Sequence, residues 1–166
     1  KAGVGASFDI ITRVATAGVR GTTFRVSDAA DGITRLETLT GKVELGGSKG
    51  KVMVPAGQAA SVAADGQPSQ PRPLLAGPEL ISPLRGAADS GARLLWRDIP
   101  GARSWIVELA EDADFKIGAH ALPAGTTSYA LPKGLAAGKV FWRVTAIDGD
   151  GFTGMPSRVY AVTYTK

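Results

Sequence analysis

Along most of this chain apolar residues recur at every second position, and no other feature restricts its fold as much. In the first half Phe8, Ile10 and Val14 form one such run, then Phe24 and Val26. Leu39, Val43 and Leu45 follow, with Thr40, Lys42 and Glu44 on the opposite face, and Val52 and Val54 flank Met53. A period of two puts alternate side chains on one face of an extended segment, so these runs predict half-buried strands. Ala17-Gly18, Asp31-Gly32, Gly46-Gly47 with Gly50, and Pro55-Ala56-Gly57 lie between the runs as turns, at the short intervals of an all-β domain. Leu36 and Leu39 fall on opposite parities within Ile33 to Leu45. That break predicts a β-bulge near Thr38, the alternative being a strand buried on both faces.

Pro68, Pro71, Pro73, Pro78 and Pro83 crowd the stretch from Asp65 to Pro83. Proline removes backbone donors and biases its neighbours toward extended conformations, so this stretch predicts a domain boundary. The Pro-x-x-Pro spacing at Pro68 and Pro71 reads as part of a semi-rigid spacer rather than a peptide ligand. The chain therefore divides into a β domain over residues 1–66, a linker over 67–77 and a second β domain over 78–166.

Alternation resumes with Leu94 and Trp96, then Trp105, Val107 and Leu109, then Val140, Trp142, Val144 and Ala146, then Tyr160, Val162 and Tyr164. Gly101, Gly125, Gly138, Gly149 and Gly151 mark connections, and no stretch sustains a 3.6-residue period long enough for a helix. A single helical turn near Ala110 to Phe115 is the one exception expected. About seven strands over roughly 90 to 100 residues is the size at which two antiparallel sheets enclose a core. The fold class is all-β, with a small roll or sandwich followed by a sandwich. Trp96, Trp105 and Trp142, all in the second half, suit the core of that sandwich, each indole nitrogen meeting a polar partner. The competing reading makes them an aromatic carbohydrate-binding strip.

With 44% apolar and 20% charged residues, the chain has the balance of an ordinary soluble globular protein. The net charge of +4 is spread over Arg13, Arg20, Arg25, Arg35, Lys42, Lys49, Lys51, Arg85, Arg93, Arg97 and Arg103, interleaved with acids. Nucleic-acid binders cluster such residues on one face, so nucleic acid is not an expected partner. Neither a signal sequence nor an apolar run of about 18 residues is present, so no membrane insertion by this stretch is expected, and it reads as an excised soluble fragment.

Catalysis is disfavoured by composition. There is no cysteine, and His120, within Gly118-Ala119-His120-Ala121, is the only histidine and so the only base for a Ser-His-Asp triad. A solvent-facing histidine is the plainer reading. A conventional zinc site lacks ligands. Glu111, Asp112 and Asp114, or Asp148 and Asp150, offer oxygen ligands for calcium, but an EF-hand starting at Asp148 meets Phe152 and Val159 where ligands belong. Turn chemistry accounts for the Asp-Gly pairs. A phosphate loop at Lys49-Gly50-Lys51 fails because Leu45 and Val52 stand where glycine and a hydroxyl are required. Two readings stay open at Gly18-Val19-Arg20-Gly21: Arg20 and Arg25 grip a carboxylate or phosphate bidentately, or the glycines make a tight turn and Arg20 pairs with an acid. No catalytic residue, metal or cofactor is assigned.

The stretch Ala15-Thr16-Ala17-Gly18-Val19-Arg20-Gly21-Thr22-Thr23-Phe24-Arg25-Val26 resembles the signature of the FecR-type periplasmic domain. The same pattern continues through Thr34-Arg35-Leu36-Glu37-Thr38-Leu39-Thr40-Gly41-Lys42-Val43-Glu44-Leu45 and Val52-Met53-Val54-Pro55-Ala56-Gly57-Gln58-Ala59-Ala60-Ser61-Val62, so the resemblance spans about residues 8–64. Over about 78–166 the chain is similar to bacterial fibronectin type III repeats, through Leu95-Trp96-Arg97, Gly101-Ala102, Ala113-Asp114-Phe115 and Phe141-Trp142-Arg143-Val144, leading to Asp148-Gly149-Asp150-Gly151. These resemblances imply a periplasmic or other extracytoplasmic setting in a Gram-negative envelope. They also imply a non-catalytic interaction or signalling role, the first half contacting a protein partner and the second spacing or assisting it. The cytoplasmic anti-sigma helices and membrane helix of the FecR namesake are not in this stretch, so sigma-factor control is implied less firmly than location. The alternative is a binder of peptidoglycan or another cell-wall polysaccharide that stacks sugars on Trp105 or Phe141, with LysM modules upstream.

Overall fold

β-Branched and aromatic residues at alternate positions, punctuated every few residues by glycine or proline, leave this chain one way to satisfy its backbone, which is to pair strands. The computed structural model describes residues 8–11, 16–19, 22–28 and 30–165, with side chains described over 22–28 and 30–165. Strands are the only regular elements among the described residues, and they fall into two units, Lys1–Leu74 and Leu75–Lys166.

The first unit holds β1 (Phe8–Ile11), β2 (Thr16–Val19), β3 (Thr23–Asp28), β4 (Thr34–Thr40), β5 (Lys42–Gly47), β6 (Gly50–Pro55), β7 (Gln58–Val62) and β8 (Arg72–Pro73). They form two four-stranded sheets, β1-β2-β5-β6 and β3-β4-β7-β8. Leu36, Val43, Leu45, Val54, Ala60 and Val62 are fully buried and share one core, with Phe24, Val26 and Val52 packed against it. Both sheets contribute to that core, so the unit is a small sandwich.

The run from Ile33 to Leu45 is two strands rather than one. Gly41 takes a left-handed conformation (φ 73°), which glycine adopts without steric cost, and there the chain passes from the second sheet to the first. The expected bulge is present. Thr23 pairs with Thr40 while Phe24 pairs with Thr38, so Leu39 is the extra residue. The middle of β4 is also buried on both faces, since Glu37 is as inaccessible as Leu36 and Thr38.

No free linker spans 67–77. Pro68 bridges to Val62, Arg72–Pro73 pairs with Gln58 and Ala59 as β8, and the Leu74 N–H donates to the Gly57 carbonyl. Leu75 belongs to the second unit, where its carbonyl accepts from the Met155 N–H. Proline lacks a donor but keeps its carbonyl and an extended φ, so a proline-rich segment is suited to the outermost position of a sheet. The boundary falls between Leu74 and Leu75.

The second unit comprises β9 (Leu80–Ser82), β10 (Ala87–Ala88), β11 (Arg93–Trp96), β12 (Ala102–Ala110), β13 (His120–Ala124), β14 (Ser128–Ala130), β15 (Gly138–Asp148), β16 (Thr153–Pro156) and β17 (Tyr160–Tyr164). A three-stranded sheet runs β14-β11-β9, and a larger one runs β10-β17-β15-β12-β13 with β16 beside β15. The two sheets make a sandwich of nine strands against the about seven expected, counting two-residue β10 and β16 beside β15. Leu94, Trp96, Trp105, Val107, Leu109, Val140, Trp142, Val144, Ala146, Val162 and Tyr164 line its core. At the helical turn expected near Ala110 to Phe115 there is one hydrogen-bonded turn, the Phe115 N–H donating to the Asp112 carbonyl, and it does not continue as helix: the Asp112 carboxylate accepts the N–H groups of Asp114, Lys116 and Ile117, and Phe115 sits at φ 57°. A side chain that takes three nearby backbone donors competes with helix formation.

Candidate functional site

The residues that sequence marks for chemistry have structural duties. Trp96, Trp105 and Trp142 are core residues, none more than 4% exposed. Trp142 Nε1 donates to the Pro83 carbonyl at 3.1 Å, and Trp96 meets Trp105 edge to face with ring centroids 5.9 Å apart. Trp96 Nε1 has no hydrogen-bond partner among the described residues, contrary to the expectation for every indole. Phe141 lies on the opposite face of β15 with Lys139 Nζ 4.9 Å from its ring centre. The sugar-stacking reading loses Trp105 to burial, while Phe141 is half-buried with a lysine ammonium over its ring.

His120 opens β13 opposite Leu109 and is exposed. It lines a cleft of about 330 Å³ with Leu109, Glu111, Leu135, Lys139 and Val140, whose remaining walls are glycine and alanine. No serine, threonine or cysteine is among those lining residues. Among the described residues no three His, Cys, Asp or Glu side chains are grouped to hold a metal.

Asp112 closes its loop through backbone donors, and these hydrogen bonds, led by that from Ile117, hold its carboxyl below the usual carboxylate range. Asp148 Oδ1 accepts from Asp150 and Phe152 N–H groups at 2.9 and 3.0 Å. Both acidic clusters are turn closures. Lys49 and Lys51 are held by carboxylates, Lys49 Nζ 2.7 Å from Asp65 and Lys51 Nζ 2.9 Å from Glu44. Arg20 and Gly21 lie outside the described residues. Arg25 stands on β3 opposite Glu37, and Ala59 and then Arg72 continue the same row across the sheet. Register thus places an arginine to either side of Glu37, which is 2% exposed.

Sequence reading missed two arrangements. Arg143 makes a bidentate pair with Glu108 at 2.6 and 2.8 Å, and the Phe115 ring stacks 4.1 Å from its guanidinium. Register alone brings Arg143 beside Glu108, so no local pattern announces it. The other arrangement is the set of open sheet edges. In the second unit, outermost β13 contains Pro123, β9 and β14 have three residues each, and β10 has two. Short strands and proline are devices that blunt an edge.

The first unit differs: its outermost β3 has six residues and no proline, and outermost β6 also has six. A two-residue turn, Ser48-Lys49, joins it to β5, with Gly47 paired to Gly50. In such a hairpin the residues flanking the turn exchange backbone hydrogen bonds, and the pattern then alternates. Gly50, Val52 and Val54 therefore turn their backbone groups toward β5, whereas Lys51 and Met53 turn theirs away. Met53 is 47% exposed, and proline appears only at the far end, Pro55. The turn is fixed in place: Lys49 N–H donates to the Gly66 carbonyl, and a Cβ on Gly47 would strike that same oxygen.

No protein-family model and no curated protein matches the chain. Solved structures similar to it include a Fn3-like protein from Clostridium thermocellum, 24% identical over 55% of this chain and 97% of that one, with a TM-score of 0.41. The FN1–FN3 domains of chicken CNTN1 are 12% identical over 86% of this chain and 64% of theirs (TM-score 0.43). The extracellular domain of a hybrid two-component system from B. thetaiotaomicron is 9% identical over 96% of this chain and 30% of its own (TM-score 0.35). The sandwich of the second unit rests on its own strand order and core. No helix among the described residues is long and apolar enough to cross a membrane.

Proposed function

We propose that this chain is a non-catalytic interaction module of the bacterial envelope, in which the first unit contacts a protein partner and the second acts as a spacer or auxiliary contact. The observation that carries this division is the contrast in edges. The first unit has two six-residue outermost strands, β3 without proline and β6 with proline only at its last position, whereas the edges of the second unit are short or carry proline. Main-chain hydrogen bonds to an added strand give affinity without any chemical site. The extracytoplasmic setting is supported by the FecR-type resemblance of residues 15–62 and the fibronectin-like pattern of the second half.

A photoreactive side chain at position 53, introduced in cells and activated, tests this reading. Adducts at position 53 and none at Ile81, an exposed residue of the second unit on β9, are expected. Equal labelling at both positions, together with unaltered growth and signalling when residues 1–74 are deleted, sinks it. A polysaccharide-binding role has no comparable residue in its favour once the tryptophans and Phe141 are accounted for.

A further inference from the structure

We propose that the second unit holds a small-molecule site, a cleft between its two sheets that takes a monocarboxylate with an apolar body, the carboxylate gripped by Arg158. Every residue that lines the cleft belongs to the second unit, so the site adds to the contact role proposed above and does not depend on it.

The cleft arises where the larger sheet is interrupted. β16 pairs with β15 at Thr145 and Ile147, β17 pairs with the same side of β15 from Gly138 to Trp142, and the residues between β16 and β17 leave the sheet. Ser157 fixes that departure. Its N–H donates to the Val144 carbonyl, and its hydroxyl accepts the Val144 N–H and donates to the Arg158 carbonyl. Arg158 and Val159 therefore stand exposed beyond β15. The opposite wall is the segment that enters β9, a strand of the smaller sheet. Gly77 lets this wall approach, because a Cβ there would strike the Pro156 carbonyl.

The walls enclose about 540 Å³, a volume of the size that holds small organic ligands. Pro78 and Leu80 are buried, and Leu84, Pro156 and Tyr160 are half-buried, which gives the cleft an apolar floor. Two polar groups of the lining are uncommitted. Neither the Arg158 guanidinium nor the Tyr160 hydroxyl has a hydrogen-bond or ion-pair partner among the described residues. The Glu79 carboxylate, also on the lining, is already paired with Arg97 Nε at 2.7 Å.

Charge and shape select the ligand. The planar fork of a guanidinium matches the two oxygens of a carboxylate, and the Tyr160 hydroxyl is a further donor on the same lining. One unpaired cation calls for one negative charge, so a dianionic phosphate is left half compensated and an amine is repelled. The floor calls for an apolar body behind that charge. Both a free alkyl acid and the C-terminal residue of a short peptide present this chemistry.

The test titrates the full, isotopically labelled chain with octanoate and follows its amide resonances. Saturable shifts at Leu80, Arg158 and Tyr160 are expected, with a dissociation constant of about 1 mM or below. Arg158→Gln is expected to weaken binding about tenfold, Arg158→Lys less, and Tyr160→Phe about threefold, each with an unchanged melting temperature. Octanol, which keeps the body and lacks the charge, is expected to bind no better than octanoate binds the glutamine variant. N-acetyl-leucine separates the two sources: binding tighter than that of octanoate assigns the end of a peptide, and weaker binding assigns a free acid. Shifts that never saturate, that fall outside the cleft, or that persist unchanged in Arg158→Gln overturn the site.

Discussion

Among the described residues, the fully buried side chains of the first unit's core are aliphatic and none is larger than leucine, whereas the second unit's core is built around three tryptophans and a tyrosine. Both are two-sheet sandwiches built from the same period-two pattern, yet they differ in what they leave open. The outermost strands of the first unit include six-residue β3 and β6, and those of the second unit are short or carry proline. An aromatic side chain buries far more area than a valine, so packing of its rings contributes much of what holds the second unit. Long outermost strands fit a contacting module, and short or proline-bearing edges fit a spacer.

The largest effect that tests this contrast is Trp142→Ala. Removing a fully buried indole is expected to cost the second unit about 3–5 kcal/mol and to leave the Pro83 carbonyl without its donor. All three tryptophans lie in that unit, so its unfolding in denaturant is followed by indole fluorescence while calorimetry reports both units. The first unit's transition is expected to stay in place, because the two cores share no residue. A common shift of both transitions breaks the picture of two independent interiors.

Leu36→Ala is the counterpart in the first unit and is expected to cost about 2–4 kcal/mol. The first unit's transition is expected to move down accordingly while indole fluorescence, which reports only the second unit, stays unchanged. Smaller, and opposite in sign, are the effects at Thr38 and Thr145. Both hydroxyls are buried without a hydrogen-bond partner among the described residues. Thr38→Val and Thr145→Val replace a desolvated hydroxyl with a methyl group of the same shape, and each is expected to stabilise its own unit by about 1 kcal/mol. If either destabilises by that amount, its hydroxyl has a partner after all.

The smallest effect is acid sensitivity. Asp31 and Asp65 in the first unit have carboxyls held below the usual carboxylate value, chiefly by hydrogen bonds from Arg35 and Lys49, and Asp112 in the second is held low chiefly by the Ile117 N–H. A depressed folded-state value means that the stabilisation is present above the unfolded value, 3.8, and drains away as the pH falls through the folded one. All three groups are exposed, so the loss is expected to be slight, and larger in the first unit, where two groups act. Melting each unit between pH 5 and pH 2.5 reads it, and Asp65→Asn is expected to flatten part of the first unit's dependence.

The strands that carry large alternating residues were legible in the sequence: β11, β12, β15 and β17 follow Leu94-Trp96, Trp105-Leu109, Val140-Ala146 and Tyr160-Tyr164. Burial of one face leaves a period-two trace wherever the strand is long enough. No alternating run marked β7, β13 or β16, and β8, β9, β10 and β14 are two or three residues long and carry no such trace. β8 lies in a proline stretch that composition marks as a spacer, and only its pairing with Gln58 and Ala59 makes it part of a sheet. The part of the Asp112 carboxylate in its loop was not legible because a carboxylate able to take three donors has the same local sequence whether or not it does so.

By itself the sequence determined fold class, the presence of two interiors and the absence of cysteine and histidine chemistry beyond His120, because these depend on residue type and spacing alone. Only the tertiary structure decided which strands are outermost, that Gly41 carries the chain between sheets, and that Arg143 lies between Glu108 and Phe115. Order within a sheet depends on pairings between residues far apart along the chain, and a strand at the edge has the same alternating pattern as one in the middle. That β3 and β6 are outermost among the described strands is therefore visible only once their neighbours are in place.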